Sequence, residues 1–234
     1  MGQCVEFPSN GQSASGYLAV PDSGSGPGLV VIQEWWGLVP HIIDVCDRFA
    51  AEGFVALAPD LYHGETTTEP DEAGKLMMAL NLEQAGRDMG GAVSYLLGGE
   101  PAPRGEIVTG TGVGVTGFCM GGGLAMVLAC QQPDAITACV PWYGLIPWDH
   151  AQPDWSALQA PIVGHVAGRD EAFTVAAARE LEQKLAELEK QAEFHVYPEA
   201  DHAFFNDTRP EVYDADASSL AWNRTVTFLR DRLG

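Results

Sequence analysis

The sequence predicts an α/β fold in which helices flank a mainly parallel, doubly wound sheet. Two observations lead to this prediction. Short, continuously apolar segments recur along the chain, and such segments are typical of strands that are covered on both faces. Stretches with a helical period lie between them, so strand and helix alternate. A parallel sheet of this kind binds ligands at the carboxyl ends of its strands, which is where we expect functional residues.

The first predicted element is a β-hairpin. The strand-like segments CVEF and SGYLAV are separated by the turn-rich segment PSNGQSA. Two strands joined by so short a connection run antiparallel, so we expect the hairpin to be added at one edge of the sheet.

The core elements follow in chain order. Strands are predicted at residues 28–33, 54–59, 112–117, 136–142, 161–168 and 193–198. Helices are predicted at residues 41–52, 81–97, 120–131, 174–191 and 213–233. The connections PDSGSGPG and LGGEPAPRGE are short, whereas HGETTTEPDEAG is a longer acidic loop in a position to border a pocket. Since no repeat divides the chain, we expect residues 1–234 to form a single domain.

The charge balance and the termini restrict the partners. With 32 acidic residues against 12 Lys and Arg, the formal net charge is −20, which disfavours nucleic acid and anionic membrane surfaces. The N-terminal segment has no signal-peptide pattern, and no apolar run is long enough to span a bilayer. We expect a cytoplasmic protein, a monomer or weak homo-oligomer, that acts on a small molecule. The five cysteines show no CxxC or zinc-type spacing, so a disulfide framework is not expected.

The segment GFCMG, residues 117–121, has the spacing of the Gly-x-Ser-x-Gly nucleophile elbow, with Cys119 in the place of serine. Such a turn needs glycine neighbours, because it brings the backbones of a strand and a helix together. The helix that follows favours negative charge at its N-terminus and supplies the Met120 N–H as half of an oxyanion hole. The alternative is that Cys119 is a small buried hydrophobe in a packing turn.

Asp170 and His202 complete a candidate triad in the order nucleophile, acid, histidine. Each follows a predicted strand, so the carboxyl ends of three strands would bring the three side chains together. Asp170 has a simpler interpretation as a cap of the helix near residue 174, and His202 as an ordinary loop histidine. Three coincidences at three strand ends are less expected than one triad.

A second glycine pattern supports a different function. Gly112, Gly114 and Gly117 match GxGxxG, the pattern of a dinucleotide-binding loop, so an oxidoreductase is one alternative. The signal is weak, because these residues are themselves the strand that leads to Cys119. A non-catalytic binder on a hydrolase scaffold is the other alternative, which the intact triad disfavours.

Over nearly its whole length the chain resembles the dienelactone hydrolase family of α/β hydrolases. The segments that carry the resemblance are VVIQEWWGL, FVALAPDLYHG, GVTGFCMGGGLA, PWYG, AGRDEAF and YPEADHAFF. The resemblance implies the α/β-hydrolase fold and hydrolysis of a lactone or ester through an acyl-enzyme. It implies Cys119 as nucleophile, His202 as general base and then acid, and Asp170 as the residue that orients His202. No cofactor or metal is implied.

The resemblance also gives roles to residues near the nucleophile. It implies that Glu34 contacts the nucleophile and tunes its protonation, and that the N–H groups of Trp35 and Met120 form the oxyanion hole. Glu34 has a simpler interpretation as a capping or salt-bridging surface residue. A carboxylate beside an apolar strand end and two tryptophans is costly unless it is used.

The sequence departs from the family where dienelactone is bound. Family members that act on dienelactone hold its carboxylate with two arginines. Here the first region contains only Lys75, and Asn206 stands at the second position, with Arg209 three residues further. Because asparagine cannot pair bidentately with a carboxylate, we predict a lactone or ester of low charge. The residues predicted to line the substrate pocket are Trp36, Met77, Trp142, Tyr143, Phe173 and Phe204.

Overall fold

Eight strands form one sheet in the computed structural model, which describes residues 2–99, 107–144 and 146–234. The strands are β1 Gln3–Ser9, β2 Gln12–Ala19, β3 Gly26–Ile32, β4 Val55–Pro59, β5 Val108–Phe118, β6 Ile136–Trp142, β7 Ile162–Ala167 and β8 Ala192–Tyr197. Their order in the sheet is β1-β2-β4-β3-β5-β6-β7-β8. Strands β3 to β8 pair in parallel, and the hairpin β1-β2 pairs antiparallel with β4. The predicted parallel α/β sheet with an antiparallel hairpin at its edge is confirmed.

Helices cover both faces of the sheet. They are α1 Pro40–Ala51, α2 Pro70–Ala79, α3 Leu82–Leu96, α4 Met120–Gln131, α5 Val175–Glu187 and α6 Ala215–Leu233, with short 3-10 turns at Asp149–Ala151 and Trp155–Ala157. A side chain at Gly28 would meet Leu96 of α3, whereas one at Gly114 would meet Leu29 and Leu229 of α6. Because Leu29 is the neighbour of Gly28 along β3, α3 and α6 lie on opposite faces.

The hairpin turn consists of Asn10 and Gly11, whose φ angles are 46° and 87°. Two positive φ values are typical of a type I′ turn, and Asn-Gly is the sequence that favours it. Ser9 pairs with Gln12, so the strands continue right up to the turn. The connection is therefore shorter than the predicted segment PSNGQSA.

The predicted acidic loop HGETTTEPDEAG requires a correction, because α2 begins inside it. Pro70 lies in the first turn of this helix, followed by Asp71 and Glu72. Proline fixes a helical φ there, and carboxylates stabilise the positive end of the helix dipole. Only Ala73 of α2 is buried. The helix therefore lacks the wide apolar stripe by which helices are predicted from sequence.

The other core elements lie where the sequence predicts them, with small differences at their ends. β5 begins at Val108, and α5 ends at Glu187. Glu189 has a φ of 58°, and a left-handed residue at this place ends a helix. Residues 100–106 of the predicted connection LGGEPAPRGE lie outside the described residues.

Helix α4 is buried on all sides, since every residue from Met120 to Cys130 is buried. A helix that is apolar all round belongs in the interior. It follows β5 directly, so its N-terminus lies at the carboxyl end of a central strand.

Candidate active site

The carboxyl ends of the parallel strands bring the predicted site residues to one side of the sheet. Glu34 follows β3, Cys119 follows β5, Asp170 follows β7 and His202 follows β8. The strand order reverses between β3 and β5, because β4 lies on one side of β3 and β5 on the other. Such a switch point opens a crevice at the carboxyl ends, where ligands bind in folds of this class. Glu34 and Cys119 flank this switch point.

The turn at Cys119 has the strained geometry that its glycines predict. Cys119 has a φ of 56° and a ψ of −121°, and it is the residue that precedes α4. A Cβ on Gly117 would overlap the carbonyl oxygen of Gly121, and one on Gly121 would overlap the backbone of Ile32 and Gln33. Both positions must therefore be glycine if strand and helix are to approach this closely.

Backbone strain is concentrated around Cys119. Positive φ angles also occur at Tyr143, which follows β6, and at Ala203, which follows His202. A non-glycine residue in this conformation costs about 1–3 kcal/mol and persists only where its surroundings fix it. Hydrogen bonds do so here, because the Cys119 N–H donates to Trp142 O at 3.0 Å and the Tyr143 N–H donates to His165 O at 2.7 Å.

Asp170 and His202 form a hydrogen-bonded pair. The distance from His202 Nδ1 to Asp170 Oδ2 is 2.6 Å, and the Asp170 side chain has no exposed surface. Asp170 Oδ1 accepts the N–H groups of Ala172 and Phe173 at 2.8 and 3.1 Å, which fixes the carboxylate. The simpler interpretation of Asp170 as a helix cap is wrong, because Thr174 caps α5.

His202 is held in its protonated form. Burial alone would lower the pKa of this imidazole, but the hydrogen bond to Asp170 and the nearby sulfur of Cys119 outweigh burial and raise the pKa to about 10. The Tyr143 ring packs edge-on against His202, with 5.1 Å between ring centroids. The imidazole thus has a fixed plane, a carboxylate behind Nδ1 and a positive charge at neutral pH.

Glu34 is a buried carboxylate with an amide partner. Only 1% of its surface is exposed, and its Oε2 accepts a hydrogen bond from Asn206 Nδ2 at 2.8 Å. Burial raises the pKa of Glu34, while the hydrogen bond from Asn206 and the charges of His202 and Arg209 oppose this rise. The interpretation of Glu34 as a surface residue is therefore wrong.

The two backbone N–H groups predicted to form an oxyanion hole are those of Trp35 and Met120. Met120 is the first residue of α4, so its N–H has no acceptor within the helix. Trp35 lies in the turn after β3, and its N–H donates to no other residue in the described part of the chain. Its indole packs edge-on against that of Trp36, with 5.0 Å between centroids.

The six residues predicted to line the pocket divide into two groups. Trp142, Tyr143 and Phe204 have no exposed surface, which differs from the prediction. They pack beneath the site, Trp142 on His165 at 4.3 Å and Tyr143 on Phe204 at 5.5 Å between centroids. A side chain without exposed surface supports the site in this conformation and does not touch a substrate.

Of the other three predicted pocket residues, Trp36 and Phe173 are largely buried and each lines a cavity. Trp36 and Asn206 line a cavity of about 440 Å³ on the Glu34 side. Phe173 and Gly144 line a second cavity of about 350 Å³ on the Asp170 side. Met77 is half-buried on α2 and lines neither of these two cavities.

The predicted dinucleotide pattern is not a loop. Gly112, Gly114 and Gly117 all lie within β5, and the next helix begins only at Met120. A phosphate-binding loop needs free backbone N–H groups between strand and helix, whereas Gly114 and Gly117 are paired in the sheet and Gly112 lies inside the strand. The alternative of a dinucleotide-binding oxidoreductase is therefore not supported by this geometry.

Two further features concern the described ranges as a whole. In residues 2–99, 107–144 and 146–234, no three His, Cys, Asp or Glu side chains are grouped so that they could hold a metal ion. Across those same ranges, no helix combines the length and apolar character needed to cross a membrane.

The link between Asn206 and Glu34 was not predicted, because Asn206 stands out in the sequence only as a residue at the position of a missing arginine. A local signal was present in the sequence. Asn206 Oδ1 accepts both the N–H and the hydroxyl of Thr208, and asparagine two residues before threonine is typical of such a turn.

Known proteins are similar to this chain over nearly its whole length. The model of the dienelactone hydrolase family matches residues 14–233. "Protein usf" of Aquifex pyrophilus is 39% identical over 239 residues, and "Putative carboxymethylenebutenolidase" of Aquifex aeolicus (strain VF5) is 34% identical over 239 residues, each match covering 100% of both chains. A solved structure described as "Putative Dienelactone Hydrolase", from Klebsiella pneumoniae, is 30% identical with a TM-score of 0.82, covering 98% of this chain and 99% of that chain.

Proposed function

The chain belongs to the dienelactone hydrolase family, and from this premise we propose that it hydrolyses carboxylic esters and lactones with Cys119 as the nucleophile. One observation carries the proposal. Cys119 sits at positive φ on the turn before α4, at the switch point of the sheet, where His202 is hydrogen-bonded to Asp170. A packing cysteine has no need of a strained backbone, a fixed imidazole and a buried acid at the same place.

The reaction begins with attack of the Cys119 sulfur on the ester or lactone carbonyl carbon. The N–H groups of Trp35 and Met120 stabilise the oxyanion that forms. The carbon–oxygen bond of the ester then breaks, and His202, protonated at neutral pH, gives its proton to the leaving alkoxide. A thioester on Cys119 remains.

The second half-reaction releases the acid. Neutral His202 takes a proton from water, and the hydroxide attacks the thioester carbonyl. The sulfur leaves, and His202 is again protonated for the next cycle. Because an imidazolium with a raised pKa is a weak acid, it protonates a poor leaving group slowly, so activated esters, enol lactones and thioesters are favoured over amides.

The cavity beside Glu34 supports a substrate of low charge. Its lining includes the indole of Trp36 and the side chain of Arg209, a cation close to the site. That guanidinium lies 5.6 Å from the centroid of the Trp36 ring, and its Nε donates to Glu211 Oε1 at 2.9 Å. Since Glu211 already compensates this charge and Asn206 carries none, the cavity suits a neutral ester or lactone better than an anionic one.

The first test is hydrolysis of a short p-nitrophenyl ester by the native protein and by Cys119→Ala. We expect the variant to lose the activity. Cys46→Ala is the matched control, because Cys46 is a fully buried cysteine of α1 that takes no part in the reaction. An inactive native protein, or a Cys119→Ala variant as active as its parent, would contradict the proposal.

Labelling identifies the reactive sulfur independently of turnover. Cys4 is exposed and would react with iodoacetamide, so the experiment uses a Cys4→Ser background. Burial raises the pKa of Cys130 to about 11, and it raises those of Cys46 and Cys139 further, so these thiols stay unreactive near neutral pH. Peptide mapping should place the label on Cys119, and a substrate ester should slow the labelling.

Three expectations stay predictions beside this function: a single domain over residues 1–234, a cytoplasmic location, and a monomer or weak homo-oligomer. Size-exclusion chromatography with light scattering measures the last of these directly. A stable assembly larger than a dimer at micromolar concentration would contradict it.

A further inference from the structure

A hydrogen bond joins the buried carboxylate of Glu34 to the side-chain amide of Asn206. Glu34 is 1% exposed, and Asn206 is 2% exposed. Asn206 Nδ2 is the donor to Glu34 Oε2 at 2.8 Å. A buried carboxylate needs such a donor, because its ionised form is costly in a water-poor surrounding.

The amide of Asn206 has only one usable orientation. Its Oδ1 accepts the Thr208 N–H at 3.2 Å and the Thr208 hydroxyl at 2.6 Å. An oxygen that accepts two hydrogen bonds from Thr208 keeps the Nδ2 group directed at Glu34. The orientation of the Glu34 donor is therefore set by Thr208, which is itself exposed.

The backbone of Asn206 connects this amide to the segment of His202. The Asn206 N–H donates to Ala203 O at 2.9 Å, and Ala203 is the strained residue that follows His202. A shift of Asn206 would thus move the carboxylate of Glu34 relative to the imidazole. The single side chain joins the acid that follows β3 to the base that follows β8.

We propose that Asn206 is a positioning residue that holds the Glu34 carboxylate in one orientation near the imidazole of His202. The inference rests on the proposed function and extends it, because it gives a task to the residue that stands in place of a substrate-binding arginine. The charged and titratable groups that face Glu34 are His202 and Arg209 from the segment after β8, and Tyr143 from the end of β6.

Removal of the donor should change the ionisation of Glu34. The hydrogen bond from Asn206 favours the carboxylate, so Asn206→Leu, which has a similar volume and no donor, should raise the pKa of Glu34. We expect the acidic limb of the pH profile of kcat/KM to move upward by about one pH unit or more, the usual effect of losing one hydrogen bond to a charged group.

Two further changes make the test robust against loss of folding. Asn206→Asp keeps the shape and places a second carboxyl beside Glu34, so the pair should share a proton and the acidic limb should move upward as well. Thr208→Val frees the amide and should shift the limb less in the same direction. Thr208→Ser retains the hydroxyl and should restore the native profile.

The protonation of Glu34 can be measured directly, in addition to its effect on turnover. Infrared spectra of the full chain report the C=O stretch of the protonated carboxyl across pH, and Glu34→Gln assigns the band. Asn81→Ala is the matched control, since Asn81 caps α3 and its loss destabilises the fold far from the site. We expect Asn206→Leu to move the infrared midpoint and Asn81→Ala to leave it in place.

An infrared midpoint of Glu34 that does not move in Asn206→Leu or Asn206→Asp overturns the inference. So does a shift of equal size in Asn81→Ala. If the native protein hydrolyses no ester, the proposed function fails, yet the infrared midpoints still decide whether Asn206 controls Glu34. If turnover is present and the midpoints do not move, only the inference on Asn206 fails.

Discussion

The turns at Asn10 and at Cys119 each hold a non-glycine residue at positive φ, and their surroundings differ. Asn10, between β1 and β2, is exposed, and a Cβ added to the adjacent Gly11 would meet no atom within 4 Å. Cys119, between β5 and α4, is 9% exposed, and Cβ atoms on Gly117 and Gly121 would overlap backbone. The hairpin turn thus follows local residue preference, whereas packing imposes the turn at Cys119. Imposed strain at this place points to the presentation of a reactive group.

The largest expected effect is on activity, which should depend on the residue in the turn at Cys119 and not on the residue in the hairpin turn. Cys119→Gly should lower ester hydrolysis by about 10³-fold or more, because the nucleophile is lost. It should also be more stable than Cys119→Ala by about 1 kcal/mol, because glycine accepts positive φ without strain. Asn10→Gly should leave the activity unchanged. Initial rates and urea denaturation measure both quantities, and a Cys119→Gly variant with native activity would contradict the assignment.

A smaller difference is expected in stability at the flanking glycines. Gly117→Ala should lower the free energy of unfolding by about 3 kcal/mol or more, because its Cβ overlaps the carbonyl of Gly121 and forces the backbone to shift. Gly11→Ala should cost only about 1 kcal/mol, the penalty of positive φ alone. Urea denaturation measures the free energy of unfolding of both variants. Equal losses of stability would contradict the distinction between the two turns.

The active site and the hairpin turn should also differ in how they affect the pH dependence of folding stability. The folded pKa of His202 is raised to about 10. Its stabilising contribution is therefore complete below the pKa of unfolded histidine, about 6.5, and is lost as the pH rises toward 10. Asp170→Asn removes the negative charge that stabilises the imidazolium of His202, so the stability difference between native and variant should shrink across that range. Denaturation midpoints at several pH values measure this.

Asn10→Gly serves as the control for the pH experiment. Its stability should follow the native pH dependence, because no titratable partner of His202 lies in the hairpin turn. A difference between native and Asp170→Asn that stays constant up to pH 10 would show that the raised pKa of His202 does not depend on Asp170.

The smallest effect concerns substrate charge at the edge of the site. Glu211→Gln removes the negative charge that compensates Arg209, so the guanidinium attracts an anionic ester more strongly. We expect KM for an anionic ester to fall about two- to fivefold, since exposed ion pairs are weak, with KM for a neutral ester unchanged. Efficient hydrolysis of an anionic lactone by the native protein, with KM in the millimolar range or lower, would contradict the prediction of a low-charge substrate.

The sequence predicts the sheet and the turn at Cys119 because both depend on patterns of neighbouring residues. Continuous apolar runs identify the parallel strands, and Gly117 and Gly121 identify the close approach of strand and helix. The proximity of Asp170 and His202 followed from their places after strands, although the sequence alone left a helix cap as an alternative for Asp170. The structure excludes the helix cap, because the Thr174 side chain is the one that caps α5.

Other features depend on packing that no local pattern contains. The burial of Trp142 and Phe204 is decided by which side chains face the interior behind the strand ends, and both look like pocket residues in the sequence. The hydrogen bond from Asn206 to Glu34 joins residues that are 172 positions apart. Helix α2 shows little apolar periodicity, so it was predicted as part of a loop.

The most direct test of the central role of Cys119 is detection of the acyl-enzyme. A p-nitrophenyl acetate reaction is quenched with acid and mapped by mass spectrometry, for the native chain and for His202→Gln in a Cys4→Ser background. The variant keeps the nucleophile, and p-nitrophenolate departs without a proton from His202. Hydrolysis of the thioester lacks the base that activates water, so acetyl should accumulate on the peptide that contains Cys119. Turnover by the native chain with no acetyl on Cys119 in the variant, or acetyl on another residue, would contradict the account.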